Sequence, residues 1–206
     1  MYLTLKPCGY STDLPKMPTG TVWTIGGTAE VTWSVRNNHG GGYQYRLCPA
    51  SEPLSEACFQ AHPLDFVKTK QAIVFPNGTR VPINGTFVSE GVLPAGSTWA
   101  MLPIPSTWLG PRCLGDGCEP WENRLVDGPC IPCPMTPGSD CSRCDNGPPS
   151  FVSQVAGVYE APQVAILDVV EVPNGLPAGD YVLGWRYDCE ATAQVWSNCA
   201  DITLAA

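Results

Sequence analysis

Two short segments carry the residue types on which chemistry could be built, and they lie far apart in the chain. The first is Val31-Thr32-Trp33-Ser34-Val35-Arg36-Asn37-Asn38-His39-Gly40-Gly41-Gly42-Tyr43-Gln44-Tyr45-Arg46-Leu47-Cys48. The second is Ala193-Gln194-Val195-Trp196-Ser197-Asn198-Cys199-Ala200-Asp201-Ile202. His39 is one of two histidines in 206 residues, and a neutral imidazole is the commonest protein ligand for a metal. Taken alone, a histidine followed by three glycines reads as a turn after a strand. Other chemistries find little support. There is no glycine-rich phosphate loop before a helix, no G-x-S-x-G elbow, and too few histidines for a zinc hydrolase. Asp65, Glu119, Glu122 and Asp127 could serve a glycosidase, but nothing in the sequence sets two of them about 5 to 9 Å apart across a bond.

These residues need a frame. With 44% hydrophobic and 15% charged residues, the chain has the make-up of one folded domain with a sizeable core. Its 22 prolines and 21 glycines imply many turns and short strands. Apolar and polar residues alternate over Thr21 to Ile25 and Ala29 to Val35, giving two strands around a Gly26-Gly27 turn. Gly42 to Cys48 is the next strand, and Leu54 to Ala61 has the composition of a short helix. Further strands are expected at Ala72 to Phe75, Thr86 to Val92, Thr98 to Ile104, Val164 to Val172, Asp180 to Tyr187 and Ala200 to Leu204. Leu93-Pro94-Ala95-Gly96 and Leu176-Pro177-Ala178-Gly179 are near repeats. They read as similar turns, each leading into a strand with an aromatic. Even spacing with turn signals points to an all-β fold, an immunoglobulin/fibronectin III-like β-sandwich.

Eleven cysteines are hard to explain in a reducing cytosol and natural in a secreted, extracellular protein. Asn77-Gly78-Thr79 and Asn84-Gly85-Thr86 have the glycosylation pattern and add to that reading. Cys48 and Cys58 bracket the expected helix, and Cys189 and Cys199 bracket a late loop, so two local bridges are the simplest assignment. Residues 106 to 149 form a long disulfide-rich loop with six cysteines and no hydrophobic period. Cys113, Cys118, Cys130, Cys133, Cys141 and Cys144 allow fifteen connectivities among six cysteines. The paired C-x-x-C units at Cys130 to Cys133 and Cys141 to Cys144 could also be read as a zinc site. In an oxidising compartment disulfides are preferred. Cys8 is left over, as though its partner lay upstream.

A net charge of −8 argues against nucleic acid, whose phosphates demand clustered Lys and Arg. No stretch approaches the length needed to span a bilayer, and no signal peptide opens the chain.

The two segments together resemble the second-histidine strand end and the axial-residue segment of lytic polysaccharide monooxygenases, including the chitin-active and invertebrate-type branches. In that family a histidine follows a strand carrying a tryptophan, as His39 follows Trp33. A pattern of Ala-Gln, a spacer, an aromatic, two residues and Cys-Ala then recurs near the carboxyl end, as over Ala193 to Ile202. The resemblance implies one copper ion with His39 as an equatorial ligand, Gln194 as a hydrogen-bonding amide beside it, and Trp196 as the aromatic on the axial face. Tyrosine or phenylalanine is more usual in that last role, though an indole would still exclude water. The implied partner is a polysaccharide surface such as chitin, cellulose or a related glucan, approached by a monomer.

Such chemistry suits these residue types, because a redox-cycling ion needs few ligands and an open position for oxygen. The family's other two nitrogen ligands come from a histidine at the mature amino terminus. His39 and His62 are the only histidines, so no cut exposes a terminal histidine while keeping His39. The expectation is a chain that begins downstream of the true start. The alternative is a non-catalytic carbohydrate-binding or cell-wall matrix module of the same fold. His62 reads as a structural helix end and Trp33 as core. Trp99, Trp108 and Trp121 divide evenly between packing and sugar contact.

Overall fold

The structure is a computed structural model that describes residues 7–8, 15–17, 19–34, 40–75, 77–103, 165–190 and 193–206, with the backbone of 113–114 and 117–118. Twelve strands and one short helix make up these residues: β1 Val22–Thr24, β2 Thr28–Trp33, β3 Gly42–Pro49, α1 Glu56–Ala61, β4 Ala72–Val74, β5 Arg80–Pro82, β6 Phe87–Val88, β7 Trp99–Met101, β8 Cys113–Leu114, β9 Gly117–Cys118, β10 Ala165–Glu171, β11 Gly179–Asp188 and β12 Val195–Ala205. They form a six-stranded sheet in the order β1-β12-β11-β3-β7-β6, a four-stranded sheet in the order β2-β10-β4-β5, and the small β8-β9 pair. The fold is therefore an all-β sandwich, as the alternating pattern predicts.

The first two strands show how local sequence builds this arrangement. In β2 the alternation places Ala29 and Val31 inside, and β1 buries Trp23. The turn between them does more than reverse the chain, because β1 pairs with β12 in one sheet and β2 pairs with β10 in the other. Gly26 has φ +75°, which strains any residue with a side chain, and a Cβ there would lie 2.0 Å from Asn174 Oδ1 and have to displace that amide, so glycine is favoured at this crossing. The two Leu-Pro-Ala-Gly turns also behave alike. Trp99 Nε1 donates back to Leu93 O at 3.0 Å, and Tyr181 OH donates back to Pro177 O at 3.0 Å.

Tyr43, Tyr45, Leu47, Ile166, Val170, Tyr187, Ile202 and Leu204 fill the space between the sheets. Strand β3 is buried on both faces, as a central strand covered on both sides must be. Its outer face lies under α1. Ser55 caps that helix, its side chain accepting from Cys58 N at 3.2 Å. Phe59 is fully buried against Gly184, where a Cβ would come within 2.7 Å of Phe59 Cε1. Gly184→Ala is accordingly expected to cost about 1 to 3 kcal/mol by overpacking, measured by denaturant unfolding. Wild-type stability in that variant would contradict the packing described.

Ion pairs join the same helix to the sheet. Glu56 Oε1 accepts from Arg46 Nη1 at 2.6 Å and from Arg186 Nη1 at 2.8 Å, and Arg186 also pairs with Asp188 at 2.6 Å. Burial of Glu56 opposes its ionisation, but hydrogen bonds from Arg46 and Gln60 and the charges of Arg46 and Arg186 outweigh it, holding its carboxyl below the usual range. A carboxyl lowered in the folded state stabilises it above the unfolded pKa of about 4.3, and this contribution disappears as pH falls through the lower folded value. The stability gap between wild type and Glu56→Gln should therefore close on acidification. Unfolding curves with a gap independent of pH would contradict it.

Most expected elements stand within a few residues of their predicted ends, with three differences. The strand expected from Thr86 is reduced to Phe87–Val88, the one expected at Ala200 begins at Val195, and β5 was not anticipated. The Cys48–Cys58 bridge is present. The Cys189–Cys199 assignment is wrong, since Cys199 bonds Cys8, with Cα atoms 5.3 Å apart. The reason lies in the β11-β12 ladder. Asp188 stands opposite Val195, and Cys199 lies four residues further along β12, a rise of about 13 Å that no disulfide spans. Cys8 thus finds its partner within the chain, not upstream. The loop at 106–149, its six cysteines and their zinc alternative lie outside the described residues, apart from the β8 and β9 backbone.

Candidate functional site

Of the residues singled out in the sequence, Gln194 and Trp196 stand at one end of the sandwich. Strand β2, in the small sheet, ends at Trp33, and β3, in the large sheet, begins at Gly42, so the segment between them crosses from one sheet to the other. At the same end β11 turns into β12. Tyr187 stands opposite Tyr43 on one side and opposite Trp196 on the other. Its hydroxyl donates to Gly40 O at 2.7 Å.

The glycines after His39 have a steric purpose here. Gly41 has φ +88°, and a Cβ on it would meet Asp188 O at 2.1 Å. A Cβ on Gly40, at φ +65°, would lie 3.2 Å from Glu190 Oε2. The chain thus presses its backbone onto the β11-β12 turn, which any side chain would prevent. Gly41 O also accepts from Leu102 N at 2.9 Å, and Cys189 N donates to Gln194 O at 3.0 Å.

Gln194 and Trp196 sit together, with Trp196 Nε1 donating to Gln194 Oε1 at 3.2 Å. Trp196 keeps 40% of its surface exposed, unlike the buried Tyr187 opposite it. Two of the three sequence-selected residues are thus in contact, and Tyr187, opposite Trp196 in the ladder, reaches Gly40 through its hydroxyl. His39, the third, lies outside the described residues, as do Trp108, Trp121, Glu119, Glu122 and Asp127. Asp65 is tied into the fold, its Oδ1 accepting from Thr98 Oγ1 at 3.0 Å. His62 closes α1, and its carbonyl accepts from Leu47 N at 2.9 Å, in keeping with a structural role. Trp99 is buried under Arg186, whose Cζ lies 6.0 Å from the ring centroid.

Behind this end lies an aromatic cluster. Trp33 packs against Tyr43 and Trp185 at 4.7 Å each and against Tyr187 at 5.9 Å, as expected of a core tryptophan. Beneath it, Asp168 is 1% exposed. It accepts from Tyr43 OH at 3.1 Å, Tyr45 OH at 2.9 Å and Gln71 Nε2 at 2.7 Å. Burial raises the Asp168 pKa against the effect of these donors. Burial, then the charge of Asp168, pushes both tyrosines well above their usual range.

Sequence reasoning missed Tyr187 and Asp168. The period-two pairs Tyr43-x-Tyr45 and Trp185-x-Tyr187 were the available signal, since aromatics spaced by two share one face of a strand.

Among the described residues no group of three His, Cys, Asp or Glu side chains is arranged to hold a metal ion. What they supply is a surround: an amide, an indole face, and a fixed backbone on either side. The molecule is thus a disulfide-bridged all-β sandwich. No family model matches the chain.

Proposed function

We propose that this chain is the β-sandwich of an exported, copper-dependent oxidase of polysaccharides, similar to lytic polysaccharide monooxygenases. The observation that carries this reading is the register that sets Tyr187 opposite Trp196 while its hydroxyl bonds Gly40 O, because Gly40 directly follows His39. His39 would hold the ion through its imidazole. Gln194, with Oε1 engaged by Trp196, offers its Nε2 as a donor, and the indole of Trp196 shields one side from water. When bound, copper supplies the activation of oxygen or peroxide needed to take hydrogen from a glycosidic carbon.

The course of the amino-terminal segment supports the same reading. Thr203 N bonds Thr21 O, Met17 N and Thr19 Oγ1 bond Asp201, and Cys8 bonds Cys199. Taken toward lower numbers, these described anchor points step along β12 toward Trp196. Cys199 is three residues from Trp196, about 10 Å of strand, so the Cys8 bridge is the anchor nearest this end. Export is supported by the two disulfides, and no helix among the described residues is long and apolar enough to cross a membrane.

The exposure of Trp196 favours one other reading, a binding module in which the indole stacks on a sugar ring. The test is to incubate the copper-loaded full-length protein with chitin, cellulose and β-glucan plus a reductant. Mass spectrometry should detect oxidised oligosaccharides. Retention on the polymer without oxidised products would favour the module.

A further inference from the structure

Among the described residues strand β5 is one of the two edges of the four-stranded sheet, β2 being the other, and an asparagine of the glycosylation pattern stands at each of its ends. Phe75 N donates to Thr79 O at 2.9 Å and Ile83 N to Gln71 O at 3.0 Å, with Ile73 opposite Val81 between them. Positions 79, 81 and 83 therefore bond inward, and the backbone of Arg80 and the carbonyl of Pro82 point away from the sheet. Pro82 removes one outward donor, but Val81 still exposes 45% of its surface. Its shortness, Arg80 and Pro82 blunt this edge in part, but outward backbone groups that remain unpaired in a sheet are a template for pairing with another chain.

Both asparagines are exposed. Asn77 lies in the β4-β5 turn, where Gly78 has φ +83° with open space around it. Its Oδ1 accepts from Thr79 N at 3.0 Å, which leaves Nδ2, the atom that takes a glycan, on the other side of the amide. Asn84 lies between two anchored points, Ile83 N on Gln71 O and Thr86 O, which accepts from Met101 N at 2.8 Å. A Cβ at Gly85 would lie 2.2 Å from Gln71 Oε1, so the chain presses inward there while Asn84 stays at the surface.

We propose that Asn77 and Asn84 are both N-glycosylated and that the two glycans guard the β5 edge against pairing with a second copy of the chain. The donor is a lipid-linked diphospho-oligosaccharide. In each transfer the Nδ2–C1 bond forms, the C1–O bond to the diphosphate breaks, Nδ2 loses one proton, and the lipid diphosphate departs. A bulky hydrated glycan at each end of a three-residue strand excludes an approaching strand from the outward groups of Arg80 and Pro82. This inference rests on the export reading and not on the copper reading.

The test passes the full chain through a eukaryotic secretory pathway behind a supplied leader. Amidase release of glycans in ¹⁸O water should label Asn77 and Asn84, and light scattering should show a monomer. Asn77→Gln with Asn84→Gln, and separately Thr79→Val with Thr86→Val, should shift the exported protein to larger species. Adding Val81→Lys should restore the monomer. Unmodified asparagines on an exported, bridged chain overturn the inference alone, as do glycan-free variants that stay as monomeric as the glycosylated protein. A chain retained in the cell with free thiols sinks the export reading and this inference with it.

Discussion

Replacing Asp168 with alanine should lower the free energy of unfolding by about 3 kcal/mol, the largest stability effect expected of a single side chain here. The substitution removes the acceptor shared by Tyr43 OH, Tyr45 OH and Gln71 Nε2. Gln71 Nε2 keeps Tyr43 OH at 2.9 Å, but the two tyrosine hydroxyls lose their acceptor, and each such loss by a buried donor costs about 1 to 3 kcal/mol. An opposing effect limits the total. A carboxylate in this position is itself poorly solvated, as its raised pKa records, so its removal returns part of that cost. Asp168→Asn keeps the shape and one acceptor and should cost less. Denaturant unfolding of both variants measures this, and an alanine variant as stable as wild type would show that the network is not holding the sheets.

The pH dependence has a definite sign. A carboxyl with a raised pKa in the folded state keeps its proton where the unfolded chain, with a pKa of about 3.9, has lost it. Its stabilising effect is therefore greatest at or below the unfolded value and declines as pH rises through the folded value. Tyr43 and Tyr45 accommodate either state, since a hydroxyl can donate to the carboxylate or accept from the acid. The advantage of wild type over Asp168→Asn should widen as pH is lowered from neutrality toward the unfolded carboxylate range. A constant difference would mean that Asp168 titrates alike in both states.

The second large effect concerns His39. Its removal by His39→Ala should weaken copper binding by roughly tenfold or more, since an imidazole is the main ligand this segment can offer a divalent ion. Wild-type affinity itself should be weak without further ligands. Calorimetry on both proteins, with unfolding curves to show that each is folded, decides the matter. Tight binding of equal strength in the two would mean that copper sits elsewhere. Alanine is a suitable probe because the glycines that follow are held through their own carbonyls. Gly40 O is held by Tyr187 OH at 2.7 Å and Gly41 O by Leu102 N at 2.9 Å.

Much of this molecule was legible in the amino-acid order alone. Alternation over Ala29 to Val35 required a strand with one buried face, found at Thr28–Trp33, and the composition of Leu54 to Ala61 marked a short helix, found at Glu56–Ala61. Gly26 and Gly27 required a turn. These are local matters, decided by periodicity and by which residues tolerate a given backbone. The ten-residue separation of Cys48 and Cys58 belongs with them, because a bridge around one short helix is a local event. Gln194 and Trp196 could be chosen in the same way, two positions apart on what proved to be the start of one strand.

What the tertiary structure alone decided was long-range pairing. Nothing in the neighbourhood of Cys8 points to Cys199, which lies 191 residues away. It becomes the partner only because the amino-terminal segment runs along β12 while the β11-β12 register carries Cys189 beyond reach. Asp168 reads as an ordinary charged residue in an apolar strand until β10 is laid across β3 and its carboxylate meets two tyrosine hydroxyls. The glycines after His39 read as a simple turn, and their need for bare backbone becomes visible only when Asp188 and Glu190 close on them. Local sequence sets which way each side chain points, but which partner it then meets depends on sheet order and register, and those are settled by the burial of the whole core.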